Sequence, residues 1–184
     1  MTDAPPRRPK EFLDAGDVRL RRRSVGDAEG IAEAIAASLP ELRIWMPWAT
    51  EEATEVDYQR QRLERADGSW ELGSVFAYVI LDDAERVLGI TALNFRDSED
   101  APEVGYWLRS DYRGRGFATQ CVAALTTEAL TLPCVARVEI HCDEANERSA
   151  AIPRRVGYRL DRIVAYEIKA PRETGRNMVW AFPP

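Results

Sequence analysis

The chain has 184 residues, 45% hydrophobic and 30% charged, with 25 basic and 31 acidic side chains for a formal net charge of −6. That length suits one well-buried domain rather than two. The acidic balance argues against broad nucleic-acid binding, which wants a basic surface, although it leaves room for a local basic pocket. No run of about 18 apolar residues exists to span a membrane, and Met1-Thr2-Asp3-Ala4-Pro5-Pro6-Arg7-Arg8 lacks the apolar core of a secretory signal, so a cytoplasmic protein is expected. Cys121, Cys134 and Cys142 are odd in number and fall at neither disulfide-framework nor CxxC spacing; with His141 as the single histidine, no metal site is implied.

Residues 1–16, rich in proline and charge, read as a flexible tail whose end Phe12 and Leu13 can pin to a domain spanning 17–182. Val18 to Arg23 alternates briefly between apolar and basic residues and predicts an edge strand with a solvated arginine face. Ile31, Ala34, Ile35 and Leu39 fall at helical spacing, with Ser24 or Asp27 as a cap and Pro40 beyond the end. The stretch Leu42 to Trp48 crowds Trp45, Met46 and Trp48 between Pro40 and Pro47, which keep it from forming one regular helix. It reads either as a loop tucked into the core or as the aromatic wall of an acceptor pocket. A second helix is predicted from a Thr50 cap through Glu51 and Glu52 to Ala66, closed by Asp67-Gly68.

Three antiparallel strands follow, at 74–81, 87–95 and 103–109, joined by the polar connections 82–85 and 96–102. A helix from Phe117 to Leu130 then leads to a fifth strand at 137–143. A crossover of this kind makes that strand parallel to the fourth. A short helix from Asn146 to about Arg155 and a closing strand pair, 158–169 and 177–182, complete the chain.

The stretch Arg113-Gly114-Arg115-Gly116-Phe117-Ala118-Thr119 stands between a strand and a helix. The first helical N–H groups have no internal partner and the helix dipole leaves partial positive charge there, which suits a phosphate. Gly114 and Gly116 can take positive φ and carry no Cβ, while Arg113 and Arg115 add charge, so a phosphorylated cofactor is implied. Arg113-x-x-Gly116-x-Ala118 resembles the Gln/Arg-x-x-Gly-x-Gly/Ala signature of the GNAT superfamily of acetyl-CoA-dependent N-acetyltransferases. Asn146-Glu147-Arg148-Ser149 and Val156-Gly157-Tyr158 resemble that family's later block, and Trp45-Met46-Pro47-Trp48 is similar to its ribosomal-protein amino-terminal acetyltransferase branch. The resemblance covers about residues 17–182. Gln120 and Cys121 depart from the Glu-Ala common at that point, and Pro153 is expected to shorten or kink the last helix.

The resemblance implies an α/β (α+β) fold: one domain, a mixed, mostly antiparallel sheet of about seven strands with about four flanking helices, and a parallel fourth and fifth strand that splay apart. A cofactor arm would enter that wedge, between 106–108 and 140–142. It also implies acetyl-CoA as co-substrate, with Leu108, Arg109, Arg113, Gly114, Arg115, Gly116, Phe117, Ala118, Thr119 and Asn146 as its contacts. The acceptor is expected to be a primary amine, foremost a peptide amino terminus, with a small-molecule amine or a non-catalytic acyl-CoA sensor as alternatives. Acetyl transfer needs an unprotonated amine and a proton for the departing thiolate. Ser149 or Tyr158 is the expected acid and Glu103 the expected base, with Glu139, His141 and Asp143 behind it. Trp45, Trp48 and His141 are the expected acceptor contacts. No membrane partner is implied, and both monomer and homodimer remain open. A nicotinamide-binding reading of Gly114-x-Gly116 fails because Thr119 holds the third glycine position and three antiparallel strands precede the turn.

Overall fold

The apolar runs pair into one sheet. The structure, a computed structural model, describes residues 8–66, 68–95 and 100–183. Among these lie β1 (Phe12–Asp14), β2 (Arg19–Arg22), β3 (Val75–Leu81), β4 (Val87–Asn94), β5 (Glu103–Leu108), β6 (Val138–Asp143), β7 (Arg159–Ala165) and β8 (Arg176–Phe182). Their order is β1-β2-β3-β4-β5-β6-β8-β7, and only β5 and β6 run parallel. The helices are α1 (Ala28–Ala36), α2 (Leu39–Leu42), α3 (Val56–Ala66), α4 (Gly68–Glu71), α5 (Phe117–Ala129) and α6 (Glu147–Val156).

The sheet is covered on both faces. Because alternate strand residues point to opposite sides, Leu20, Tyr78, Ile80, Leu88, Val104 and Ile140 meet Val122 and Leu125 of α5, while Val79 and Leu81 meet Ile31 and Ile35 of α1 and Leu63 of α3. The unbroken apolar run of β3 follows from burial on both faces.

Several expectations change. Residues 12–14 pair with β2 and bury Leu13, so the sheet has eight strands rather than seven and order begins before 17; the first seven residues of the expected tail lie outside the described residues. This moves β2 from the edge to the interior, where its arginines are paired rather than merely solvated: Arg19 with Glu85, Arg21 with Asp27, Arg22 with Glu11 and Glu71. The helix expected from Thr50 to Ala66 is broken at Glu55, which is extended between a 3-10 turn at Glu52–Thr54 and α3; Thr50 Oγ1 does accept from Ala53 N at 3.3 Å. Pro40 lies in the first turn of α2, where its missing N–H costs nothing. The expected stop at Asp67 and most of the 96–102 connection lie outside the described residues.

The feature that positions the site is the junction of β5 and β6. Each pairs with its antiparallel neighbour at six positions, yet their own register holds one pair, Glu103 with Glu139. The two strands meet at their starts and part beyond, opening a wedge on the sheet's C-terminal side.

Candidate active site

The glycine turn ends in a helix with an open N-terminus. Gly114 and Gly116 have φ of +75° and +84°, the left-handed region that favours glycine, and Gly116 is the N-cap of α5. The first intrahelical acceptor, Gly116 O, takes the N–H of Gln120 at 3.0 Å, leaving the amides of Phe117, Ala118 and Thr119 without helical partners. No side chain caps this end and its first turn holds no acid. A Cβ on either glycine would meet no protein atom within 4 Å, so the space beside them is open. This turn therefore fits a diphosphate, as the donor set predicts. Arg113, Gly114 and Arg115 lie on its surface; the Arg115 guanidinium stands over the Tyr112 ring at 4.8 Å, and the Phe117 ring lies tilted against Tyr112 at 6.4 Å. Arg109 is different. Its guanidinium bonds Asp111 and Glu33, whose carboxylates hold it above its ordinary pKa, its N–H donates to Leu88 O and its carbonyl accepts from Tyr112 N, so its side chain is committed within the fold. Leu108 packs into the core beneath α5. Gln120 ties α5 to the β1–β2 turn through Asp17.

One side chain bridges the wedge. Tyr106 of β5 reaches α6, its hydroxyl 3.1 Å from Ser149 O and 3.0 Å from Ser149 Oγ. The carbonyl is available because of Pro153, which lies four residues on and has no N–H to give it. Of the expected shortening or kink, the shortening does not occur: α6 continues to Val156 past Pro153, while the freed carbonyl takes the tyrosine. Burial pushes the Tyr106 phenol above its ordinary pKa, so it stays protonated. Asn146 is the N-cap of α6: its Oδ1 accepts from Ser149 N at 3.2 Å, and the residue lines the cleft beside the wedge.

From the wedge a cleft of about 790 Å³ runs across the sheet on the face of α1 and α3. Its floor is a row of small residues in register, Ala77, Ala92 and Gly105. Half-buried Trp45 and Trp48 form one wall, with Trp48 against Trp107 at 5.8 Å. Glu103, His141 and Asp143 line the other end beside the wedge.

The chain's residues 17–159 match the family described as acetyltransferase (GNAT) domain. The chain belongs to this GNAT acetyltransferase family. It is 27% identical over 147 residues, 77% of each chain, to "Putative ribosomal N-acetyltransferase YdaF" of Bacillus subtilis strain 168. Solved structures with the same fold include a ribosomal-protein-S5-alanine acetyltransferase from Vibrio fischeri (TM-score 0.82, 18% identity, covering 94% of this chain and 96% of that one). Mycobacterium smegmatis RimJ in complex with a CoA-disulfide is another (TM-score 0.81, 20% identity, covering 97% and 90%).

In this acetyltransferase the candidate proton-handling groups differ sharply in freedom. Glu139 is buried; burial alone would raise its pKa, but hydrogen bonds from His141 and Arg162 and the charge of Arg137 outweigh it and hold the carboxyl below the ordinary range. Glu139 takes His141 Nε2 at 2.9 Å, which fixes the imidazole with Nδ1 turned toward Glu103 at 3.9 Å. Asp143 is occupied by Ala145 N, Thr174 N and Oγ1, and the Tyr166 hydroxyl; these overcome the burial that would raise its pKa. Tyr158 is 4% exposed with its hydroxyl on Thr126 Oγ1 at 2.5 Å, and it does not line the cleft. Ser149, Glu103, His141, Asn146, Trp45 and Trp48 are brought to one cleft; Tyr158 is not. Sequence reasoning misses Tyr106. Strand alternation puts it on the face of Val104 and Leu108, but nothing local announces a partner 43 residues away.

Proposed function

We propose that this acetyltransferase moves the acetyl group of acetyl-CoA to the α-amine of a peptide or protein amino terminus. The observation that carries the reading is the continuous cleft from the Tyr106–Ser149 wedge to the half-buried Trp45 and Trp48 wall, long enough to hold several residues of an extended chain beside a cofactor arm. The amides of the glycine turn would hold the diphosphate, with Arg113 and Arg115 adding charge, and Asn146 Nδ2 would meet an arm amide. Acetyl-CoA supplies the activated acyl group as a thioester.

The remaining work falls to this chain's residues. Ser149 Oγ–H holds the proton for the departing sulfur: because Tyr106 gives its own proton to Ser149 O, the serine hydroxyl donates to the Tyr106 oxygen at rest and would turn to the sulfur as the thiolate forms. Glu103 receives the amine's proton, directly or through water, beside the Nδ1 of a His141 that Glu139 holds in place. An α-amine has an unperturbed pKa of about 8, against about 10.4 for lysine, so a modest base suffices for the former. Tyr106, Trp107 and α6 wall the reacting end from bulk water on the sheet side.

The test is thiol release from acetyl-CoA against peptides with free and blocked amino termini, lysine side chains and small amines. Free-amino-terminus peptides are expected to turn over, and Ser149→Ala to lower kcat at least tenfold with CoA affinity within twofold. Acceptance of lysine side chains or small amines alone would overturn the acceptor assignment; CoA binding with no turnover on any amine would leave a sensor.

A further inference from the structure

The cleft has a second polar end. Arg23 follows β2 and donates its N–H to Ala77 O, which sets it in register with the floor row Ala77, Ala92 and Gly105. Its side chain enters the cleft, as does that of Arg62 from α3, whose guanidinium stands over the Trp48 ring at 5.8 Å. The other arginines of β2 carry carboxylate partners, as do Arg109 and Arg162. Neither Arg23 nor Arg62 has an ion pair or a side-chain hydrogen bond among the described residues. Asp27, the acid whose charge acts on Arg23, is already engaged by Arg21 and by Ser24.

Two guanidinia without ion pairs in one cleft repel one another; Arg62 is exposed, but Arg23 is partly buried, and burial followed by the nearby charge of Arg62 lowers its pKa. A chain tolerates this where an anion relieves it. The opposite end of the cleft, with Glu103 and Asp143, is negative and suits an arriving ammonium. From these placements we infer that Arg23 and Arg62 form an anion subsite, and that the acceptor is an acidic peptide with Asp or Glu at its second or third residue. This rests on the peptide reading above for the identity of the acceptor, and on the cleft alone for its charge.

The spacing agrees. Three strand separations of about 4.8 Å put the backbone of Arg23 ~14 Å from Gly105 beside the wedge. An extended peptide rises about 3.4 Å per residue, so four residues span that distance, and fewer are needed when an arginine and a carboxylate side chain each reach inward. A first-residue carboxylate falls short and would crowd Glu103. Arg62 over Trp48 continues the aromatic wall, so the same peptide backbone would lie along Trp48 while its acid meets both guanidinia.

The experiment compares tetrapeptides that differ only at positions two and three, carrying Glu, Ala or Lys, by kcat/KM. The wild-type protein is expected to prefer Glu over Ala at least tenfold, chiefly through KM, and to reject Lys. Arg62→Glu should reverse the order of Glu and Lys peptides, Arg62→Lys should keep the preference, and Arg23→Gln should shrink it. Equal kcat/KM for Glu and Ala peptides, or a preference untouched by Arg62→Glu, overturns the subsite. If peptides are refused but small amines bearing a carboxylate or phosphate turn over with the same Arg62 dependence, the anion subsite stands and the peptide acceptor falls. If nothing turns over, calorimetry of the Glu and Ala tetrapeptides against the CoA-loaded protein decides: no Arg62-dependent difference overturns the subsite.

Discussion

Replacing Tyr106 by phenylalanine removes one oxygen and tests the strut across the wedge. The variant keeps the ring in its packing but leaves Ser149 O, which Pro153 denies a helical donor, without its partner. A half-buried carbonyl left unsatisfied costs about 1–2 kcal/mol, in the lower part of the range for such losses. For a chain of this length that is a fall in Tm of about 2–8 °C. Pro153→Ala should compensate, because it restores an N–H four residues after Ser149 and returns that carbonyl to the helix ladder. Denaturation of the wild-type, both single variants and the double variant gives the coupling, expected at about 1 kcal/mol in favour of the double variant. Thiol-release kinetics adds a second axis: the double variant recovers stability but not the contact to Ser149 Oγ, so kcat stays depressed as in Tyr106→Phe alone. Strict additivity of the two substitutions in stability, or a Tm for Tyr106→Phe within 1 °C of wild type, would refute the assigned carbonyl pairing.

Gly116→Ala meets no protein atom but puts a Cβ at φ +84°, so it should cost about 1–2 kcal/mol of stability and, by intruding beside the phosphate-facing amides, weaken CoA binding more than tenfold by calorimetry; unchanged affinity would remove the turn from the cofactor site. Trp48→Ala, which removes one wall of the cleft, should raise the acceptor KM about tenfold while CoA affinity stays within twofold. Asp143 titrates below its ordinary 3.8 because its hydrogen bonds favour the carboxylate, so its contribution is complete above that pH and is lost as the pH falls through the lower folded value. Asp143→Asn should therefore lower Tm at pH 7, with the gap to wild type narrowing as the pH falls below 3.8 and the carboxyl is protonated, and a gap that does not narrow in acid would show that the anion is not what matters.

The chain's local features are legible in its sequence. Arg113-x-x-Gly116-x-Ala118 needs only neighbours in sequence to make an anion site, since a glycine turn followed by an uncapped helix is defined within seven residues. The strands at 75–81, 87–94, 103–108 and 138–143 declare themselves by apolar runs and polar turns, and the parallel sense of β5 and β6 follows from the helix between them. What only the tertiary structure decides is which side chains meet across strands. Periodicity of two divides a strand into two faces without saying what lies on either, so by itself it leaves β2 at an edge, Tyr158 beside the wedge and Tyr106 without a role. β8 enters between β6 and β7, Arg23 joins a row with residues 54, 69 and 82 positions further along, and a helix proline passes a carbonyl to a tyrosine on another strand. Each of these depends on register between segments far apart in the chain, which is fixed by burying both faces of the sheet at once and is written in no single stretch of residues.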